Sequence, residues 1–372
     1  MKNVKKVGLS ALAGALAFTS AHAGDVSITG SMIASYTKKG GYNTTGNPFG
    51  MNKELTVTGS GELDNGVSVA YKQTVTNAMG YNDSELVFTN VPFLGDATIA
   101  LSSTGSPLDA IDDKTPIAFE EANAAVGSID DVAGLNGTYG VRYTLADLGG
   151  TGFKFDAMYT PKHGTGDAQA EKGVSGTGAE GNGQGYDITV TGAVPGVEGL
   201  NVGVGYSMLE KDAILAGEQD QEEGTAYVTY AVGGLSVGYQ KGAVSAAGLT
   251  EVHYVNEYVG VSYAISDNLS ISYNEIESRK SDRGATLIQD MDSISLSYTM
   301  GGITVGMQKS EIDCDAAGTN DEERDHVAVS LAVNENLSIA YGMSDVDMGT
   351  ATDEESSGVS FSYTMGSMTF GG

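Results

Sequence analysis

Six ionisable side chains stand among apolar residues in one segment of fifteen residues, Pro107 to Glu121. Carboxylates at this density attract cations and orient polar molecules through their charge. The segment contains no histidine or cysteine, so its chemistry would be electrostatic and not nucleophilic. The candidate residues are Asp109, Asp112, Asp113, Glu120 and Glu121, with Lys114 as an internal counter-charge.

Three cations could oppose these carboxylates across an open space: Lys72, Arg142 and Lys154. Each lies next to apolar residues in an alternating run, and successive side chains of a strand point to opposite faces. The three cations are therefore predicted to point away from the apolar face, where opposed charges would set up a transverse field. Two alternatives stay open, namely that each cation only neutralises a nearby carboxylate, and that the acidic segment is a solvated external loop.

Enzymatic chemistry lacks the residues it needs. Beyond the N-terminal 23 residues the only histidines are His163, His253 and His326, and none stands in a recognisable nucleophile or metal arrangement. We therefore expect no enzyme activity, no catalytic residue and no cofactor.

The elements that must position the charges are β-strands, because apolar and small polar residues alternate along most of the chain. The unit Val261 to Tyr273 consists of two alternating runs joined by a Ser-Asp-Asn turn. The same design recurs at Val329 to Tyr341 and, more loosely, at Val228 to Tyr239. Strict alternation gives every strand one apolar face and one polar face.

The connections between the predicted strands alternate in length. Tight turns such as Asp64-Asn-Gly66 and Gly233-Gly234 follow every second strand. The other connections are long and acidic or glycine-rich, such as Ser278 to Gln289 and Glu311 to Asp325. We count about eighteen strands, within a range of about 16–20. This pattern predicts an all-β, transmembrane, antiparallel up-and-down β-barrel. The alternative is a β-sandwich domain of a surface protein, which would usually divide into repeats of about 100 residues.

Composition limits the partners and the compartment. The 372 residues carry 19 basic and 48 acidic side chains, a net charge of −29 that argues against nucleic acid. Residues 1–23 are predicted to be a cleaved export signal, with three lysines, an apolar stretch from Val7 to Phe18 and the small-residue site Ala21-His-Ala23. The single cysteine, Cys314, excludes an internal disulfide.

The signal, the repeated hairpins, the Ser-Tyr-Thr-Met-Gly turns at Ser297 and Ser362 and a long loop after the fifth strand resemble the general porins of Gram-negative bacteria, particularly the alphaproteobacterial type. The resemblance covers residues 24–372. It implies a water-filled channel in the outer membrane, usually trimeric, with short periplasmic turns and long extracellular loops, through which small hydrophilic solutes and ions diffuse. In such porins the loop after the fifth strand folds into the channel and narrows it, and here that loop is Thr104 to Asn136. Its apolar residues are expected to pack against the wall, namely Leu108, Ile111, Ile117 and Phe119.

Several expectations follow from the resemblance. The alternatives to general diffusion are a solute-specific channel and a surface adhesin or receptor barrel. Porins typically end on an aromatic residue, whereas Phe370 is followed by two glycines. The tail is therefore expected to be either a short extension after an eighteen-strand closure or, as we favour, the beginning of another strand in a fragment that lacks its last strand or two.

Metal binding by the acidic loops is a separate question. Asp313 to Gly318 begins like a calcium loop, but its fifth position is Ala317 and its twelfth is Arg324, so no dedicated metal site is expected. Loose divalent-ion bridging to anionic lipopolysaccharide and a purely solvated acidic face both stay open for the cluster Asp321, Glu322, Glu323 and Asp325.

Overall fold

Strands make up most of the chain that the computed structural model describes. The described residues are 25–41, 47–76, 80–92, 94–102, 105–117, 131–135, 140–163, 182–211, 220–245, 253–282, 285–314, 321–347, 353–365 and 368–371. The strands in them are β1 (Val26–Gly41), β2 (Phe49–Glu62), β3 (Ser68–Thr76), β4 (Gly80–Thr89), β5 (Ala97–Ser102), β6 (Gly140–Leu145), β7 (Phe153–Thr160), β8 (Asn182–Ala193), β9 (Leu200–Lys211), β10 (Gln221–Val232), β11 (Leu235–Ser245), β12 (His253–Ser266), β13 (Leu269–Asp282), β14 (Ala285–Met300), β15 (Ile303–Cys314), β16 (Glu322–Asn334), β17 (Leu337–Asp347), β18 (Glu354–Met365) and β19 (Met368–Gly371).

Each strand pairs antiparallel with the next one in the chain. β1 also pairs antiparallel with β18, residues 36–41 against 354–359, so that the strand order returns to its start. The four-residue β19 pairs antiparallel with β18 and parallel with β1. The prediction of an all-β, antiparallel up-and-down barrel of about 16–20 strands is confirmed. Within the described residues no helix has the length and apolar character needed to span a bilayer.

The two faces of the wall differ in polarity. One face carries buried polar side chains, including Gln240, Asn256 and Ser272. The other face carries exposed apolar side chains, among them Val204, Val259 and Ile294, which are 54%, 47% and 49% exposed. A protein in water would reverse this arrangement, whereas an apolar outer band and a polar interior suit a barrel surrounded by lipid.

Several strands extend beyond the predicted boundaries. The predicted loop Ser278 to Gln289 is mostly strand, because β13 and β14 pair as far as Asp282 opposite Ala285. Likewise β15 and β16 extend into the predicted loop Glu311 to Asp325. The outer-face residues of these extensions, such as Glu277 and Glu311, are charged, and the period-two apolar signal ends where the strand leaves the apolar band.

Three predictions concern residues at or beyond these limits. The export signal, residues 1–23, and the loop residues Phe119, Glu120 and Glu121 lie outside the described residues. The tail after β18, which was expected to begin another strand, forms β19 at Met368–Gly371.

Candidate functional site

The described parts of the loop after β5 lie against the polar face of the wall, which is therefore the inner face. A first limb, residues 105–117, and a second limb, residues 131–135, cross β8 to β13. The first limb contains a short 3₁₀ turn at Asp109–Ile111. Ser106 Oγ accepts hydrogen bonds from the backbone N–H groups of Leu108 and Asp109 at 3.0 and 3.1 Å, which fixes the entry to this turn.

Apolar side chains join the two limbs to the wall. Leu108 and Ile111 of the first limb and Val132 of the second form a buried cluster with Val244 of β11, and two tyrosines pack against it, Tyr227 and Tyr254. Leu108 is completely buried. Full burial of such a side chain stabilises by about 1.5–3 kcal/mol, so this packing holds the loop on the wall, as its apolar residues lead one to expect.

Glycines on the inner face leave room for the loop. A Cβ placed on Gly205 would lie 2.5 Å from Leu108 Cδ1, and one on Gly238 would lie 2.6 Å from Pro116 Cδ. On Gly260 it would lie 2.8 Å from Thr115 Cβ, and on Gly185 2.5 Å from Leu135 Cδ2. Carbon atoms pack at about 3.5–4.0 Å. We call these four glycines, Gly185, Gly205, Gly238 and Gly260, the glycine track, because a Cβ at each would lie within 2.8 Å of a loop atom, which would have to shift.

Gln240 of β11 holds the first limb. Its side chain is fully buried. Its Oε1 accepts from the backbone N–H of Lys114 at 2.7 Å, and its Nε2 donates to the carbonyl oxygens of Ile111 and Asp112 at 2.8 and 2.6 Å. Thr225 Oγ1 lies 2.8 Å from the same Nε2, so its two hydrogens are shared among three oxygens, and this contact ties the amide to β10.

Carboxylates of the wall hold the second limb. Glu223 Oε2 accepts from the backbone N–H groups of Ala133 and Gly134 at 2.7 and 2.8 Å, and Asp187 Oδ2 accepts from that of Leu135 at 3.1 Å. Consecutive N–H groups are thereby fastened by two different strands.

Tyrosines of β12 hold the start of the second limb. The hydroxyl of Tyr258 donates to Asp131 Oδ2, and that of Tyr254 donates to the Asp131 carbonyl at 2.7 Å. Burial raises the pKa of Asp131 to about 6 against the lowering effect of the Tyr258 hydrogen bond. Burial also raises the pKa of Asp112 to about 7, and the negative charges of Asp113, Asp131 and Asp109 raise it further. These carboxyls therefore titrate near neutral pH.

The predicted cations all lie on the inner face. Arg142 pairs with Met158 of β7, which in turn pairs with the buried Asp187 of β8. On its other side Arg142 pairs with Ala100 of β5, which pairs with Val87 of β4. Val87 shares its face with Glu85, the partner of Lys72. Arg142 Nε and Nη2 donate to Asp156 at 2.8 and 2.5 Å, and Lys154 Nζ lies 2.9 Å from Asp156 Oδ2. Asp156 is only 3% exposed. Two of the three cations thus share one buried carboxylate.

The structure brings the four described loop candidates together on the first limb. Asp113 and Lys114 form an exposed ion pair at 3.4 Å, and Asp109 and Asp112 lie at the two ends of the 3₁₀ turn. The residues that fasten the loop were not among the sequence candidates, although alternation places Gln240, Glu223, Asp187 and Tyr258 on a polar face. Only the path of the loop, which alternation does not encode, singles them out. Among the described residues, no group of histidine, cysteine and carboxylate side chains could hold a metal ion.

Comparisons with known proteins agree with this architecture. Residues 8–290 match the family model described as Gram-negative porin. The fold is similar to that of an anion-selective porin from Comamonas acidovorans, with 14% identity, a TM-score of 0.50, and coverage of 90% of this chain and 98% of that one. A porin structure refined at 1.8 Å resolution gives the same identity and TM-score, with coverage of 90% and 99%. A comparison with curated protein sequences found no match.

The family model spans most of the chain, and the barrel carries an apolar outer face and a loop folded onto its inner wall. The chain therefore belongs to the Gram-negative porin family and forms a diffusion channel of the outer membrane.

Proposed function

We propose that the loop Thr104 to Asn136 constricts the channel, and that its carboxylates make the channel weakly cation-selective. The observation that carries this proposal is the fastening of both described limbs to the inner wall, by Gln240 on one limb and by Glu223 and Asp187 on the other. A loop held in this way occupies part of the cross-section instead of extending into solvent.

The charges of the constriction come from the loop and from the wall. Asp109, Asp112 and Asp113 belong to the first limb, with Lys114 as their counter-charge, and Glu120 and Glu121 extend the acidic set in the proposal. Lys72, Arg142 and Lys154 supply the positive side. Because Asp156 already neutralises part of the charge on Arg142 and Lys154, the acids are expected to dominate the field.

Current through single channels tests the proposal. The refolded chain without residues 1–23 is compared in planar bilayers with a variant in which Asp109, Asp112 and Asp113 become asparagine. We expect stepwise currents from the parent, with a zero-current potential in a salt gradient whose sign shows cation preference. In the variant that potential should move toward the anion side, because three lumen charges are removed.

A matched control removes the same number of charges from the outer face. Glu275, Asp290 and Glu311 lie on β13, β14 and β15 at exposed positions between buried inner-face residues. Their replacement by neutral amides should leave the potential of the parent nearly unchanged. An anion-selective parent, or equal shifts in the two variants, would contradict the assignment of selectivity to the loop.

The remaining parts of the proposal concern assembly and the alternatives. We infer a homotrimer in the outer membrane that contacts lipopolysaccharide and passes small hydrophilic solutes and ions without enzymatic activity, after removal of residues 1–23. Membership of the porin family supports each of these. A solute-specific channel would instead show saturable block by one nutrient, and an adhesin or receptor barrel would give no swelling of loaded liposomes.

A further inference from the structure

The two limbs of the loop are fastened by side chains of different strands. The first limb bonds through Gln240 of β11, and the second through Glu223 of β10, at loop positions separated by residues 118–130. A loop attached at one point could pivot, whereas attachment at two points also defines its tilt across the lumen.

The Gln240 side chain both accepts a hydrogen bond from the backbone of the first limb and donates hydrogen bonds to it. One amide accepts from an N–H and donates to two carbonyl groups within four consecutive residues, Ile111 to Lys114. An apolar side chain of the same size could fill the space but would leave these three backbone groups unpaired in a buried place, at a cost of about 1–3 kcal/mol for each group that water cannot reach. The contact therefore specifies a position and does more than fill volume.

Glu223 gives the second limb the same specificity. Its Oε2 receives the two N–H groups, while its Oε1 accepts from Gln221 Nε2 at 2.6 Å, so both oxygens are engaged. The side chain is only 5% exposed. Because Gln221 and Thr225 also lie on β10, this strand supports both anchors.

We propose that Gln240 and Glu223 are the positioning residues that set the width of the channel, by holding the first and second limbs at fixed places on the wall. This inference rests on the proposed function of the loop as the constriction. Neither side chain needs to touch a permeating solute, since each acts through the backbone that it holds.

The variants isolate the hydrogen bonds from the volume. Gln240→Met keeps the length of the side chain and removes all its bonds to the loop. Gln289→Met on β14 is the matched control, because Gln289 is a buried inner-face glutamine whose Nε2 donates to Cys314 Sγ at 3.4 Å. For the second limb, Glu223→Ala removes the acceptor, whereas Glu223→Gln retains an acceptor oxygen for the two N–H groups.

Two measurements are made on each full-length channel. In planar bilayers we expect Gln240→Met and Glu223→Ala to raise the open-channel current noise at least about twofold over the parent, because a partly released loop fluctuates across the lumen. Gln289→Met should match the parent, and Glu223→Gln should restore most of the loss. Amide hydrogen exchange read by mass spectrometry should rise over residues 108–114 in Gln240→Met and over 131–135 in Glu223→Ala.

The outcomes separate the two proposals. If the parent gives no stepwise current, the proposed function fails, and hydrogen exchange alone then decides whether these residues fasten the loop. If the parent conducts and Gln240→Met matches Gln289→Met in noise and in exchange, the positioning role is overturned. Faster amide hydrogen exchange with unchanged open-channel current noise would show that these residues fasten the loop but do not set the width of the channel.

Discussion

Enlarging one glycine of the glycine track should narrow the channel by a predictable amount. A Cβ on Gly238 would lie 2.6 Å from Pro116 Cδ, 3.2 Å from Thr229 Cγ2 and 3.3 Å from Thr115 Cα. Since carbon atoms pack at about 3.5–4.0 Å, Pro116 would have to retreat by about 1 Å. The proline ring is rigid, so the retreat involves the backbone of the first limb, and the direction away from the wall points into the lumen.

The energetic cost should be moderate. Inserting a methyl group into a packed site usually costs about 1–3 kcal/mol. The displacement would also lengthen the 3.1 Å hydrogen bond from Asn274 Nδ2 to the Pro116 carbonyl. The barrel itself, which is held by the hydrogen bonds between strands, should remain folded, so the effect should appear in conduction before it appears in assembly.

Single-channel conductance and exclusion of sized polymers measure the effect. We expect conductance to fall from the parent to Gly238→Ala and further to Gly238→Val. Gly342→Ala is the control, because Gly342 lies on β17 and its Cβ would meet only Val327 O, at 3.9 Å. Conductances that are equal in all four proteins, with folding verified by heat-modified mobility, would refute the reasoning, as would an increase in Gly238→Val.

Two further predictions concern charge. Cation preference should decline as pH falls from about 8 to about 5, because Asp112 and Asp131 have pKa values raised to about 7 and 6 by burial and are negative only above that range. Their raised pKa values also mean that folding takes up protons in this window, so the packed loop is favoured as pH falls. A zero-current potential that stays flat over this range, or an unchanged titration in Asp112→Asn, would contradict the prediction. Asp156→Asn should shift selectivity toward anions and lower stability by about 1–3 kcal/mol, because Arg142 and Lys154 lose their shared carboxylate; a shift toward cations in the same salt-gradient measurement would exclude this account.

The fold follows from sequence where one physical rule acts alone. Alternation of apolar and small polar residues identified the hairpin Val261 to Tyr273, and the structure turns there at Asp267 and Asn268. The rule fails beyond the lipid band, where the outer face carries charged residues such as Glu277 and Asp290, and the loop predicted at Ser278 to Gln289 is therefore mostly strand. Strand pairing continues there through backbone hydrogen bonds, which the periodicity of the side chains does not report.

In the candidate site, too, one part could be predicted from the local sequence and another part could not. Apolar residues within an acidic loop predicted that Leu108 and Ile111 would pack, and both are buried. Their partners depend on which strands the loop crosses, a long-range relation that no local pattern carries. An inward glycine on each of three strands, Gly205 of β9, Gly238 of β11 and Gly260 of β12, is the one signal that could have marked the path, because a glycine in a strand often indicates a close approach of another backbone.

The contacts of the cations also bear on the origin of selectivity. A transverse field needs positive charges that remain effective across the lumen. Arg142 and Lys154 are both bonded to Asp156, and Arg142 also feels the charges of Glu85 and Asp187. Lys72 stands directly opposite Glu85 across β3 and β4. Each wall cation therefore has a carboxylate beside it.

The described first limb, in contrast, carries three acids, Asp109, Asp112 and Asp113, and one cation, Lys114. The excess of acid on the loop, and not a balanced field, is the stronger reason to expect cation preference.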